Sequence, residues 1–121
     1  NVSPAQFRRG NLQATVAEVL RETGLPPAAL ELEITESALM DDPEASRATL
    51  RALRELGISL SIDDFGTGYS SLSHLKQFPV ATLKIDRSFV RDILDDPNDR
   101  AIASAVIALA RSMRLDVVAE G

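Results

Sequence analysis

The sequence contains no cysteine, no tryptophan and a single histidine, and aromatic residues make up only 4% of it. Without cysteine the chain forms no disulfide bond, offers no thiolate metal ligand and has no cysteine nucleophile. This composition fits a reducing compartment, so we expect a cytoplasmic location. The one histidine, His74, lies in a polar stretch, which is typical of a surface residue.

Long apolar runs and a surplus of basic residues are also missing. The longest apolar stretch, Ala101 to Ala110, is about half as long as the roughly 20 residues that a membrane-spanning helix needs, and no signal peptide opens the chain. Any membrane anchor would therefore lie outside this segment. The net charge of -5 and the pI near 4.8 argue against binding of a nucleic acid polymer, because neutralising phosphates requires excess lysine and arginine.

What is present describes one globular unit or a part of one. Hydrophobic residues make up 45% and charged residues 26% of the 121 residues, which is typical of a soluble folded chain. The sequence opens at Asn1 without a methionine and stops at Gly121 directly after a strand-like run. We therefore expect residues 1–121 to be part of a larger domain that is truncated at both ends.

Helix signals occur at three long stretches. Ser3 followed by Pro4 and Gln6 predicts a capped helix start, and Gly24 predicts its end, which gives a first helix from about Pro4 to Thr23. The same reasoning predicts a helix that starts after residue 42 and stops at residue 57, and another that starts near residue 97. Shorter helices are expected at 70–76 and 88–94.

Four short strand-like runs alternate with these helices, at 30–35, 58–63, 81–86 and 116–120. Strands that alternate with helices predict a parallel α/β sheet. On each strand one face is mainly apolar, and the other carries at least one ionisable side chain. Burying those charges under helices would be costly, whereas a (β/α) barrel lets them point into the barrel interior. The predicted fold is therefore part of a (β/α)8 TIM-like barrel with about four strands.

Ionisable residues stand near the carboxyl ends of all four strands, where such a barrel has its active site. They are Glu33, Asp63, Lys84 and Glu120. Carboxylates that converge without histidine or cysteine suit Mg²⁺ or Mn²⁺ and indicate metal-assisted phosphoryl chemistry. The alternative is that these are ordinary charges at strand ends, each of which reaches solvent.

The chain must turn sharply after the second strand. Asp63 and Asp64 would point to opposite sides of a regular strand, but Gly66 and Gly68 follow at once and permit unusual backbone dihedrals. A mobile active-site loop is one interpretation. A plain glycine-rich connector is the other.

Four segments together resemble EAL domains, the family of cyclic di-GMP phosphodiesterases. They are ELEITES at 31–37, DDFGTGYSSL at 63–72, LKID at 83–86 and VVAEG at 117–121, and the family's Asn-x-Ser is similar to residues 1–3. The resemblance covers essentially the whole chain. The Glu-Ala-Leu segment that names the family would lie upstream and is not within these residues, so the chain alone is expected to hold an incomplete, inactive site.

The resemblance implies a role for each matching residue. Asn1, Glu33, Asp63 and Asp64 are similar to the family's metal ligands, and Asp63 is expected to bridge two ions. Lys84 and Glu120 are similar to the catalytic residues, and Glu120 also to a metal ligand. Glu36 resembles the residue that anchors the glycine-containing loop. The resemblance gives no substrate-binding residue.

The activity that the resemblance implies is hydrolysis of cyclic di-GMP to linear pGpG with a two-metal site of Mg²⁺ or Mn²⁺. It also implies a homodimer through the face of the DDFGTG loop, and a sensory or GGDEF domain in the parent chain. Two alternatives stay open. A degenerate EAL domain would bind cyclic di-GMP or a protein without catalysis, and Lys84 could instead form a Schiff base, although nearby carboxylates would keep its amine protonated.

Overall fold

The computed structural model describes all 121 residues and shows one parallel sheet whose strands alternate with helices. In chain order the elements are α1 (Pro4–Arg8), α2 (Leu12–Thr23), a 3-10 turn (Pro27–Ala29), β1 (Glu31–Thr35), α3 (Glu36–Met40), α4 (Pro43–Glu55), β2 (Ser59–Phe65), α5 (Leu72–Leu75), β3 (Thr82–Ile85), α6 (Arg87–Arg91), α7 (Pro97–Ser112) and β4 (Asp116–Ala119). The predicted alternation of strands and helices is confirmed.

The four strands lie side by side in the order β1-β2-β3-β4, and every pair is parallel. Val2 forms a parallel bridge with Ile34, so one residue of the N-terminal segment pairs with the outer edge of β1. Sequential order and parallel pairing bring all the carboxyl ends to the same edge of the sheet. The predicted convergence of the strand ends is therefore met by the topology.

One face of the sheet packs against the helices, as the period-two pattern predicts. Leu60 and Ile62 on β2 and Leu83 on β3 are fully buried on this face. Helices α4 and α7 cover it with their own apolar stripes, which are Leu50 and Leu53 on α4, and Ala103, Val106 and Ala110 on α7. The core therefore lies between the sheet and the helices, and the polar face is left for the site.

The single helix predicted from Pro4 to Thr23 is wrong, because the chain forms two helices there. The predicted capping box at Ser3 is present, but α1 ends after one turn. Gly10 then takes a φ of +76°, which only glycine adopts without strain, and Asn11 precedes the first residue of α2. The two helices can therefore change direction and both bury their apolar residues.

Helix α3, which directly follows β1, was not predicted from the sequence. The Thr35 hydroxyl accepts a hydrogen bond from the Ala38 amide and caps this helix. The helices at 43–56 and from residue 97 are confirmed. The two short ones are present but cover fewer residues than predicted. No helix is both long and apolar enough to span a bilayer.

Candidate active site

Lys84 stands at the centre of the polar face, surrounded by carboxylates from the neighbouring strands. Its Nζ lies 2.7 Å from Glu33 Oε1, 2.5 Å from Glu120 Oε1 and 3.8 Å from Asp63 Oδ1. These partners come from β1, from the residue after β4, and from β2. The structure therefore brings together all four residues that the strand pattern placed at the barrel mouth.

Burial and charge act against each other on Lys84, whose side chain is only 10% exposed. Burial alone would lower its pKa, but the contacts with Glu120 and Glu33 and the charge of Asp63 outweigh that effect and raise the pKa above its ordinary value. The amine is therefore a fixed positive charge at neutral pH. A nucleophilic, neutral amine is what a Schiff-base mechanism needs, so this setting argues against that alternative.

A second group of carboxylates adjoins the lysine. One oxygen each of Asp63, Asp64 and Glu120 lies within 4.8 Å of the others, so a single ion could contact all three side chains. Three oxygen donors without nitrogen or sulfur fit Mg²⁺ or Mn²⁺. Glu33 on β1 contacts the same lysine through its Oε1 at 2.7 Å, and the Val2 bridge to Ile34 places Asn1 next to Glu33 along the sheet.

The chain turns at Asp64, as the two adjacent aspartates require. Asp64 has a φ of +54°, a left-handed conformation that aspartate tolerates better than most residues. The Asp63 carboxylate accepts a hydrogen bond from the Asp64 amide at 2.9 Å, and the Thr67 hydroxyl donates to the Asp64 carbonyl at 2.7 Å. This irregularity lets both aspartates face the same cluster before Phe65 rejoins the pairing with β3.

Asp86 adjoins this cluster next to Asp64, although the sequence did not single it out. It caps α6 by accepting a hydrogen bond from the Ser88 amide at 2.8 Å, and its side chain also meets that of Asp64. Burial, the charge of Asp63 and the contact with Asp86 raise the pKa of Asp64, while the hydrogen bonds from Ser88 lower that of Asp86. The sequence did contain a signal for Asp86, because residues 84 and 86 fall on the same face of an extended strand.

Glu36 lies beneath the glycine-containing loop rather than in the ligand cluster. It is 1% exposed, and its Oε2 accepts a hydrogen bond from the Gly66 amide at 3.0 Å. A side chain at Gly68 would meet the same carboxylate at 3.6 Å. Its other oxygen, Oε1, is buried without a partner. Glu36 thus ties the start of α3 to the loop that follows the two aspartates.

Replacing Glu36 with alanine is expected to lower the free energy of unfolding by about 2–4 kcal/mol, because the Gly66 amide loses its partner and a cavity opens. Denaturant unfolding of the full-length protein measures the change. Glu22, an exposed glutamate on α2, provides the matched alanine control, which should leave stability within about 0.5 kcal/mol of wild type. Equal stability of the two variants would contradict an anchoring role for Glu36.

The sequence match is the observation that decides the family. The EAL domain family matches the chain over all residues, 1–121. The chain belongs to the EAL domain family. It is 49% identical over 121 residues to the cyclic di-GMP phosphodiesterase NbdA of Pseudomonas aeruginosa, covering 100% of this chain and 16% of NbdA. It is 47% identical to the bifunctional diguanylate cyclase/cyclic di-GMP phosphodiesterase MucR of the same organism, covering 100% of this chain and 18% of MucR.

Solved EAL domain structures share the fold. The MucR phosphodiesterase in complex with cyclic di-GMP aligns with 100% of this chain and 49% of its own, at a TM-score of 0.97 and 47% identity. The manganese and cyclic di-GMP complex of Klebsiella pneumoniae BlrP1 aligns with 98% of this chain and 30% of its own, at a TM-score of 0.85 and 34% identity. The expected fold, part of a TIM-like barrel, is thereby confirmed, and the chain spans less than two thirds of these relatives.

Proposed function

We propose that this EAL chain contributes its part of the active site to a metal-dependent phosphodiesterase that hydrolyses cyclic di-GMP to linear pGpG. The observation that carries the proposal is the joint cluster of Lys84 with the carboxylates of Asp63, Asp64 and Glu120 at the strand ends. The identities with NbdA and MucR support the same substrate. Manganese in the BlrP1 complex supports a divalent ion.

The ions would be held by the three clustered carboxylates, which are Asp63, Asp64 and Glu120. Glu33 on β1 and Asn1 beside it would be further ligands. A divalent cation at this position supplies Lewis-acid chemistry, since it stabilises negative charge on a phosphodiester and makes water more acidic. Glu36 keeps the loop beside the ligands in place through the Gly66 amide. Each ligand thus comes from a different part of the sheet edge or from the turn that follows it.

Lys84 and Glu120 would handle the charge and the proton in the reaction. The Lys84 ammonium has three donors and can donate one of them to the attacking water or to a phosphate oxygen. The Glu120 carboxylate lies 2.5 Å from that ammonium and can accept the proton of the attacking water as a general base. Their contact holds the two groups next to each other at the carboxyl ends of the strands.

We also propose that the loop of residues 63–72 faces a second copy of the chain. Tyr69 is fully exposed at the tip of this loop and Leu72 is 54% exposed at its end. Next to them lies an apolar groove of about 320 Å³ between the loop and α7. Sedimentation velocity of the full-length protein with Leu72→Asp measures the proposed pairing, and an unchanged dimer would contradict it.

The assay that tests the function is hydrolysis of cyclic di-GMP by the full-length protein, with Mg²⁺ or Mn²⁺ and with EDTA. We expect linear pGpG with either metal and no product in EDTA. Nucleotide binding by calorimetry is measured in parallel. Tight binding without product in any condition would contradict catalysis and indicate a receptor, and absence of both would overturn the proposed substrate.

A further inference from the structure

We propose that Lys84 is a built-in counterion, which holds the carboxylates together when no divalent ion is bound and competes with an ion that arrives. The inference rests on the proposed metal site. Lys84 then stabilises the metal-free protein, in addition to any contact that it makes with water or phosphate. The lysine lowers the affinity of the site for cations and keeps the carboxylates together in their absence.

The geometry shows why one ammonium is needed. One oxygen each of Asp63, Asp64 and Glu120 lies within 4.8 Å of the others, and Glu33 Oε1 lies 2.7 Å from the same lysine. Like charges at this distance repel, and they repel more strongly where water is partly excluded. Lys84 is the only basic residue that forms an ion pair with this group, because the other ion pairs involve arginines elsewhere.

Glu120 is the carboxylate that both cations would share. It is one of the three side chains that a single ion could contact, and its Oε1 is the nearest partner of Lys84. Glu33, which the family resemblance places among the ligands, is the second partner of the lysine. A cation that binds these carboxylates shares their negative charge with the ammonium and lies close to it, so lysine and ion are in competition.

The surroundings of the lysine favour its position beside the carboxylates. Its side chain is only 10% exposed, and β3 is paired on both sides, with β2 and with β4. The Glu120 amide also bonds to the Ile85 carbonyl at 3.3 Å, which fixes the glutamate next to the strand that carries the lysine. The positive charge is therefore anchored on a strand that is paired on both sides, next to the proposed ligands.

The test compares Lys84→Met, which keeps the length but removes the charge, with Lys84→Arg, which keeps the charge. Lys76→Met is the matched control, because Lys76 is the other lysine of the chain and is exposed. Mn²⁺ binding to each full-length variant is measured by isothermal titration calorimetry, and melting is measured in EDTA and in Mn²⁺. None of these readouts depends on turnover.

We expect Lys84→Met to bind Mn²⁺ at least about fivefold more tightly than wild type, because a positive charge near the ion is removed. In EDTA its Tm should fall by at least about 4 °C, because the carboxylates lose their counterion, and Mn²⁺ should restore most of the loss. Lys84→Arg should bind Mn²⁺ no more tightly than wild type. Lys76→Met should match wild type in both measurements.

Equal or weaker Mn²⁺ binding by Lys84→Met would overturn the inference, and so would an unchanged Tm in EDTA. If Lys84→Met does not fold in EDTA, recovery of the fold in Mn²⁺ supports the inference and failure in both conditions overturns it. A wild-type protein that binds no Mn²⁺ would instead overturn the proposed function. In that case the proposed competition between Lys84 and a divalent ion would also be wrong. Melting in EDTA would still test whether Lys84 acts as a counterion.

Discussion

Replacing Asp63 with asparagine is expected to lower the rate of cyclic di-GMP hydrolysis by the full-length protein more than about a hundredfold. Loss of a residue that only supports a metal ligand costs up to about a hundredfold, and Asp63 is proposed to be a ligand itself. Asp63 belongs to the three-carboxylate cluster, and its Oδ1 also lies 3.8 Å from Lys84 Nζ. Asparagine keeps the size and an oxygen that can accept the Asp64 amide. The substitution therefore removes charge rather than shape.

The control for Asp63→Asn is Asp95→Asn, because Asp95 is an exposed aspartate with no side-chain partner in the structure. This variant should hydrolyse cyclic di-GMP at the wild-type rate. The two variants should also differ in Mn²⁺ binding by calorimetry, with a clear loss for Asp63→Asn alone. Wild-type turnover by Asp63→Asn would contradict the proposed role of this carboxylate, whatever its effect on stability.

Much of the site's placement could be predicted because strand periodicity is a local property. The polar face of β3 carries Lys84, the polar face of β2 carries Asp63, and both assignments follow from the alternation of apolar and polar residues alone. Parallel strands then share one carboxyl edge, so convergence follows from topology. The contacts themselves depend on register and on side-chain reach, which no single strand contains.

The residues that sequence reasoning missed are those whose roles come from neighbouring elements. Asp86 meets Asp64 only because the turn at Asp64 and the start of α6 lie at the same sheet edge. The Gly10–Asn11 pair did carry a local signal, since glycine often ends a helix and asparagine often precedes one. The strong start at Ser3 and stop at Gly24 concealed that break inside a pattern that fits one helix.

Replacing Gly66 with alanine is the second change for which we expect a large effect. Gly66 has a φ of +100°, and an added Cβ would lie 3.1 Å from Phe89 Cε2 and 3.7 Å from Ile102 Cγ2. Its amide also donates to Glu36, so the residue cannot rotate away without losing that bond. We expect the free energy of unfolding to fall by about 1–3 kcal/mol from backbone strain.

Gly66→Ala should also lower the rate of hydrolysis by each folded molecule. The added methyl group pushes against Phe89 and so displaces the turn that carries Asp63 and Asp64. Small displacements of catalytic groups can cost about a hundredfold in rate, and we expect a loss of that order.

Gly10→Ala separates the causes, since Gly10 has a φ of +76° with no atom within 4 Å of an added Cβ. It should lose stability from backbone strain yet keep wild-type turnover per folded molecule. Adding Phe89→Ala to Gly66→Ala should recover part of the activity by making room for the methyl group. Turnover that falls equally in Gly66→Ala and Gly10→Ala would contradict this account, because the loss would then reflect general destabilisation rather than the position of the loop.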